Sequence, residues 1–300
     1  MDDFGAIAAS AVPLTGGYGG ETFAVSAGGE DAVLKLYGKH PARAAVDVSL
    51  MRLVSGLLPV PRVLDAMPEP AGDGAPPYVL YERLSGVNLQ TYLDTAGDAE
   101  RRKVGEQLGE LLVRLSGMPF LTFGEFTGRE LAIESFGIEL EQFFASHAVG
   151  IGLTPEQTAR FAAVLEQAED LAATGVDRVC LVHSDFNPKN LLVDPSTATI
   201  TGLIDWEFAH AGSPYTDLGN LLRFCTDPVL GAAVLSVVRA GPDLGDRLLE
   251  RARTADLWAL IDLAARPADN PVAAAAHALI SRIGDTGDLA GGRGDPEVVH

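Results

Sequence analysis

Apolar and polar positions follow two regimes along the chain. Up to about residue 83, short runs of β-branched and aromatic residues are bounded by glycine and proline, which predicts strands. Glu21-Thr22-Phe23-Ala24-Val25 and Asp31-Ala32-Val33-Leu34-Lys35-Leu36-Tyr37 read as two strands joined by the turn at Gly28-Gly29. Arg62 to Ala66 and Tyr78 to Arg83 read as two more, with Pro68 to Pro77 a loop between them. One helix is expected from Ala42 to Ser55, with Val46, Leu50, Leu53 and Val54 on its apolar face, closed off by Pro59 and Pro61. From Leu84 onward the period lengthens. Val104, Leu108, Leu111, Leu112 and Leu115, and later Phe161, Val164, Leu165, Ala168 and Leu171, fall at helical spacing. A strand-rich island interrupts at Val179 to Asp205, helices resume to about Ile283, and Asp285 to His300, rich in Gly and Asp, is expected to fray. The pattern predicts an α+β chain: a small β-rich lobe over residues 1–84, a hinge near Glu82 to Gly86, and a larger, mainly helical lobe over 85–300.

The island carries chemistry. Val179-Cys180-Leu181-Val182 is an apolar strand that ends at His183, and the polar loop Ser184-Asp185-Phe186-Asn187-Pro188-Lys189-Asn190 follows. Leu191-Leu192-Val193 resumes as a strand; after a turn at Asp194-Pro195-Ser196-Thr197, the returning strand delivers Asp205 beside the same loop. Phosphoryl transfer uses such a set. Mg²⁺ takes hard oxygen ligands, one or two from protein and the rest from phosphates and water, and Asn190 and Asp205 fit that role. Asp185 is expected to be catalytic, accepting a hydrogen bond from an acceptor hydroxyl and aiming it at the γ-phosphorus. A carboxylate of pKa about 3.9 is a weak base toward an alcohol. In a loose transition state, however, orienting the nucleophile matters more than deprotonating it early. His183, set between an apolar strand and the loop, is expected to brace loop backbone in preference to acting as a base.

Composition narrows the partners. The 300 residues include 22 basic and 41 acidic side chains, a net charge of −19. That field repels nucleic-acid phosphates and anionic membranes and favours a cationic ligand, although solubility alone also accounts for it. No apolar run approaches the roughly 18–20 residues that span a bilayer. Met1-Asp2-Asp3-Phe4 carries acid where a secretory signal carries positive charge. A cytoplasmic protein with Cys180 and Cys225 reduced is the expectation.

His183-x-Asp185 followed by Asn190, with Ile204-Asp205 on the next strand, resembles the catalytic loop and metal-binding strand of the aminoglycoside phosphotransferase family, relatives of choline kinases and protein kinases. The likeness runs from Gly16 to about Phe224. It implies a two-lobed protein-kinase-like fold, ATP (or GTP) and Mg²⁺ as cofactors, Asp185 as the catalytic aspartate, and Asn190 with Asp205 as metal ligands. Ser184 stands where the family most often has glycine, a position a hydroxymethyl tolerates if φ is negative. There is no Walker A loop. The glycine turn holding Gly17, Tyr18, Gly19 and Gly20 is by itself an ordinary hairpin; the resemblance assigns it to the nucleotide phosphates. Lys35 then holds the α- and β-phosphates. Asp47 is its expected carboxylate partner, where the family usually has the longer glutamate, so the pair is expected to be close-packed, loose or water-bridged. Backbone groups at Glu82 and Leu84 are expected to meet the nucleotide base. Asp217 reads either as a first-turn helix acid or, by resemblance, as a buried acid bonded to the catalytic loop.

The acceptor is open. Glu134, Glu139, Glu141, Glu207, Asp227, Asp256 and Asp262 are the acids available to a cationic acceptor, with Asp227 and Glu207 favoured as substrate-binding residues. An aminoglycoside or basic peptide antibiotic fits the charge and the resemblance together. A sugar, homoserine, choline-like amino alcohol or macrolide are the alternatives within kinases. A nucleotide-binding regulator without catalysis and a metal-dependent hydrolase are the alternatives outside them.

Overall fold

The computed structural model describes residues 10–14, 21–70, 75–135, 139–176, 178–267 and 270–295. Its contacts divide into two units. The first gathers the described residues up to Glu100 together with Gly124–Glu134 and Asn187–His210; the second gathers Arg101–Phe123, the described part of Ser135–Phe186, and the described residues from Ala211 onward.

Within the first unit, five antiparallel strands form one sheet in the spatial order Val12–Pro13, Glu21–Ala27, Glu30–Leu36, Tyr78–Glu82, Val63–Met67. Val25, Ala32, Leu34 and Leu80 build the core on one face. Alternation along Glu30–Leu36 places Ala32 and Leu34 in that core and leaves Lys35 to the other side of the pleat, opposite Thr22 and Val79. The expected helix spans Arg43–Val54 and lies against the strand Val63–Met67. Its inward arc is centred on Asp47, flanked by Leu50, Met51 and Val54, so the face read from apolar residues alone was rotated: Leu53 is 42% exposed while Asp47 is 3% exposed.

A second sheet of this unit joins Thr199–Leu203, Leu191–Asp194 and Val87–Asn88. Here Val87–Asn88 pairs directly with the island. Gly86, at φ +129°, approaches so closely that a Cβ there would stand 2.6 Å from Thr201 Oγ1 and 2.9 Å from the Val193 carbonyl oxygen. The Thr201 hydroxyl donates to the Ser85 carbonyl at 2.6 Å, and the Asn88 amide donates to the Lys189 carbonyl at 2.6 Å. Gly124–Thr127 and Ala132–Glu134 form a short antiparallel pair. With only four and three residues, these strands carry too little alternation to stand out in a region read as helical.

The second unit is mainly helical. Leu140–Ile151, Pro155–Ala173, Leu257–Ala265 and Pro271–Thr286 share a core around Phe144, Phe161, Leu165, Ile261 and Ile280. Pro155–Ala173 starts with a capping box: Thr154 accepts from the Gln157 N–H while the Gln157 side chain takes the Thr154 N–H. In the helix Asp98–Ser116, Val104, Leu108, Leu111, Leu112 and Leu115 are all buried. Asp285, expected to open a frayed tail, lies inside the last helix and receives the Gln157 side chain at 2.9 Å. Farther along, Arg293 donates to the Arg223 carbonyl. No helix among the described residues is long and apolar enough to cross a membrane.

Candidate active site

The glycine turn with Gly17, Tyr18, Gly19 and Gly20 lies outside the described residues. Lys35 is half-buried, and its Nζ stands 3.5 Å from Asp47 Oδ2, a long ion pair. The same carboxylate receives two shorter bonds: Tyr37 donates its hydroxyl to Oδ2 at 2.7 Å, and Arg43 donates Nε to Oδ1 at 2.7 Å. The Tyr37 and Tyr81 hydroxyls are 3.2 Å apart. Burial first, and then the neighbouring Tyr81 and Asp47, raise the Tyr37 phenol far above its ordinary value; burial likewise raises Tyr81. Both phenols stay neutral donors. Asp47 is thus held in place by a tyrosine and an arginine, with the lysine contact the longest of the three. Two cations share one carboxylate, which leaves the neighbourhood net positive and suited to phosphate oxygens.

Asn190 and Asp205 flank the open end of the hairpin formed by Leu191–Asp194 and Thr199–Leu203. Leu191 pairs with Leu203, and one step outward the Ile204 N–H donates to the Asn190 carbonyl at 2.9 Å. Asn190 closes a 3₁₀ turn at Pro188–Asn190, capped by the Asn187 side chain, and is buried. Asp205 takes φ +65°, a left-handed conformation that turns the chain sharply after the strand. Trp206 is buried and donates Nε1 to the Leu203 carbonyl at 3.1 Å, which fixes the residue after Asp205. One carboxylate and one amide oxygen are hard donors of the kind Mg²⁺ accepts, with coordination places left for phosphate and water.

In the second unit, Val179–Val182 leads to the loop bearing Asp185. The strand pairs with Pro119–Phe120, and its end is held by Asp217 in the first turn of the helix Thr216–Leu222. The two carboxylate oxygens of Asp217 accept the backbone N–H groups of His183 and Ser184, each at 2.8 Å. Burial raises the Asp217 carboxyl to about 7, against the downward pull of those two donors. The buried His183 turns Nδ1 toward the Asp185 N–H at 3.3 Å, a brace across the turn. Ser184 has φ +64°, contrary to the negative angle that a serine there would favour. The turn demands the left-handed region, which is why glycine suits it and why serine is strained.

The remaining expected residues are placed as follows. The Glu82 N–H donates to the Arg62 carbonyl at 2.9 Å, and its side chain pairs with Arg62 Nε at 2.8 Å. Leu84 lies against Gly202, where a Cβ would come within 2.8 Å of Leu84 Cδ1. Glu207 is half-buried. Asp227 caps the helix Pro228–Ala240 through Oδ1, which accepts from Val229 and Leu230, and its Oδ2 lies 3.2 Å from Arg101. Asp256 is buried in a two-pronged pair with Arg223 and also accepts from Asn220, while Asp262 pairs with Arg266. Three of the seven candidate acids are therefore already matched to an arginine. Glu134, Glu139 and Glu141 are exposed. Sequence reasoning missed Arg43, Tyr37, Tyr81 and Arg223. The last is buried; against that burial, the Asp256 carboxylate chiefly, and the Asp185 charge after it, raise its pKa. An arginine four residues before Asp47 was the one visible signal.

Residues 10–253 match the family model described as the phosphotransferase enzyme family. Among solved structures, aminoglycoside phosphotransferase APH(4)-Ia is 21% identical, with a TM-score of 0.66 over 95% of this chain and 94% of that one. A thermostable mutant of it, in a ternary complex with AMP-PNP and hygromycin B, is 21% identical with a TM-score of 0.69 over 95% and 96%. The GDP complex of aminoglycoside 2'-phosphotransferase-IIIa is 17% identical with a TM-score of 0.66 over 93% of each chain. These likenesses show the fold, a protein-kinase-like one. A segment of 45 residues is 40% identical to acyl-CoA dehydrogenase family member 11 of Mus musculus; it covers 15% of this chain and only 6% of that protein's length.

Proposed function

This chain belongs to the phosphotransferase enzyme family, and we propose that it moves the γ-phosphate of ATP or GTP to a hydroxyl of a small, cationic molecule such as an aminoglycoside or basic peptide antibiotic. The observation that carries the reading is the hairpin end that Asn190 and Asp205 flank, in the same unit as the Lys35–Asp47 pair.

In this reading Lys35 binds the α- and β-phosphates, and Asp47, held by Tyr37 and Arg43, keeps the ammonium oriented. Asn190 and Asp205 hold Mg²⁺, which when bound screens the charge of the β- and γ-phosphate oxygens. Backbone groups at Glu82 and Leu84 meet the base. Asp185 accepts a hydrogen bond from the acceptor hydroxyl and takes its proton late. Its N–H is braced by His183, and the two preceding N–H groups are fixed by Asp217, so the loop is set before the acceptor arrives. The net charge of −19 favours capture of a cation. Because Asp227, Asp256 and Asp262 are matched to arginines, a polycation would be met chiefly by the remaining acids, such as Glu139, Glu141 and Glu207. That pairing also keeps a less charged acceptor, a sugar or amino alcohol, as the second reading.

The test is a panel of aminoglycosides, basic peptide antibiotics, macrolides, sugars and amino alcohols, offered with ATP or GTP and Mg²⁺ and scored by the mass gain of one phosphate. Asp185→Ala is expected to abolish transfer while nucleotide still binds. Near-normal turnover in that variant would remove the catalytic assignment.

A further inference from the structure

Arg43 spans two parts of the first unit. Its Nε donates to Asp47 Oδ1 at 2.7 Å, and its Nη2 donates to the Trp206 carbonyl at 2.6 Å. The first partner is the carboxylate beside Lys35; the second is the backbone immediately after Asp205. A planar guanidinium holds both in a fixed geometry, which a lysine cannot do with one terminal nitrogen.

Two further observations set Arg43 apart from an ordinary helix residue. It is the first residue of the helix Arg43–Val54, which has no side-chain cap and no acid in its first turn. A cation there opposes the positive end of the helix dipole, where an acid or a small polar cap is the stabilising choice. Such a breach of a local rule is tolerated where another role requires it. In addition, the backbone Arg43 grips is strained: Asp205 sits at φ +65°, so the direction of its carboxylate depends on what holds the next peptide. The Trp206 indole holds that residue from the strand side and Arg43 holds its carbonyl from the helix side.

We infer that Arg43 is a positioning residue that couples the two halves of the nucleotide site: phosphate binding at Lys35 and divalent-metal binding at Asp205 strengthen one another through it. The inference rests on the functional reading above, since it takes Lys35 and Asp205 as the phosphate and metal residues. When a phosphate draws Lys35 away from its long contact with Asp47, the carboxylate leans more fully on Arg43. The guanidinium, anchored at one end, then holds the Trp206 carbonyl and the Asp205 turn in the orientation that receives the ion. By linkage, the metal returns the same advantage to the nucleotide.

The experiment compares full-length wild type, Arg43→Lys and Arg43→Met by equilibrium binding of adenylyl and guanylyl imidodiphosphate, once with EDTA and once with saturating Mg²⁺. The wild type is expected to bind more tightly with Mg²⁺. In both variants that metal-dependent gain is expected to shrink by about 5–20-fold, with metal-free affinity within about threefold of wild type. Arg43→Lys keeps a cation near Asp47, so its loss of the gain assigns the effect to the Trp206 link; it also decides the matter if Arg43→Met does not fold, as judged by circular dichroism. A full metal-dependent gain in a folded variant would overturn the inference while leaving the functional reading intact. Absence of nucleotide binding by the wild type would instead overturn that reading, and the inference with it.

Discussion

Asp217 and His183 stand 34 residues apart in the chain, and Oδ2 of Asp217 accepts the His183 backbone N–H at 2.8 Å. The carboxyl doing this is fully buried, and its pKa rises from 3.8 to about 7 because burial outweighs the two N–H donors. Between those values the native state holds more proton than the unfolded chain, so stability falls as pH climbs from about 4 through 7. The expected outcome is a urea midpoint that drops between pH 5 and pH 8 by more in wild type than in Asp217→Asn, which cannot titrate. Parallel pH profiles for the two proteins would refute it.

Ser184 offers a stabilising substitution. Glycine at φ +64° removes a steric penalty of about 1–2 kcal/mol, offset in part by its greater freedom when unfolded. Ser184→Gly keeps the N–H that Asp217 accepts and is expected to gain about 0.5–1 kcal/mol in chemical denaturation. A loss of stability would mean that the hydroxymethyl makes a compensating contact.

At Asp205 charge and backbone can be separated. Asparagine tolerates the left-handed region and alanine does not, so Asp205→Asn is expected to keep stability within about 0.5 kcal/mol, and Asp205→Ala to lose about 1–2 kcal/mol. Turnover is expected to fall by about 10²-fold or more in both, because each loses the carboxylate proposed to hold the ion. Steady-state assays across a Mg²⁺ titration, run beside denaturation curves, check the two effects independently. Unchanged Mg²⁺ dependence in Asp205→Asn would remove the residue from the ligand set.

Gly86 admits no side chain without displacement of Thr201 and of the Val193 backbone. Gly86→Ala is therefore expected to cost about 2–3 kcal/mol, through overpacking and a φ of +129° that alanine disfavours. KM for nucleotide is expected to rise with it, since Glu82 and Leu84, proposed to meet the base, lie immediately upstream. Wild-type stability in that variant would show that the contact yields readily.

Much of this was legible before the structure. The helix expected at Ala42 to Ser55 is Arg43–Val54, and the strands around Lys35 fall within two residues of their expected ends, because alternation and turn residues mark them strongly. The island between Val179 and Asp205 displayed its hairpin through two apolar runs and one polar turn. What stayed hidden has a common cause. The positive φ at Ser184 and Asp205 belongs to residues that ordinarily avoid it, and nothing in their identity announces it. Asp47 lies at the centre of its helix's buried arc, and a reading of apolar residues alone finds Val46, Leu50 and Val54 there but passes over an acid and misplaces Leu53. The link from Arg43 to Trp206 joins positions 163 apart, beyond the reach of any local pattern.

The first unit is discontinuous: its five-stranded sheet lies wholly before Glu100, but its second sheet is complete only when Asn187–His210 joins Val87–Asn88. During synthesis the strand Val87–Asn88 leaves the ribosome about a hundred residues before its partner Leu191–Asp194 exists. At roughly 5–20 residues per second, that is a wait of about 5–20 seconds with an open edge. A fragment cut at residue 100 would keep Lys35 and Asp47 but never acquire Asn190 or Asp205. The first unit therefore cannot be harvested whole as a simple N-terminal piece, because its second sheet waits on translation of the chain to Leu203.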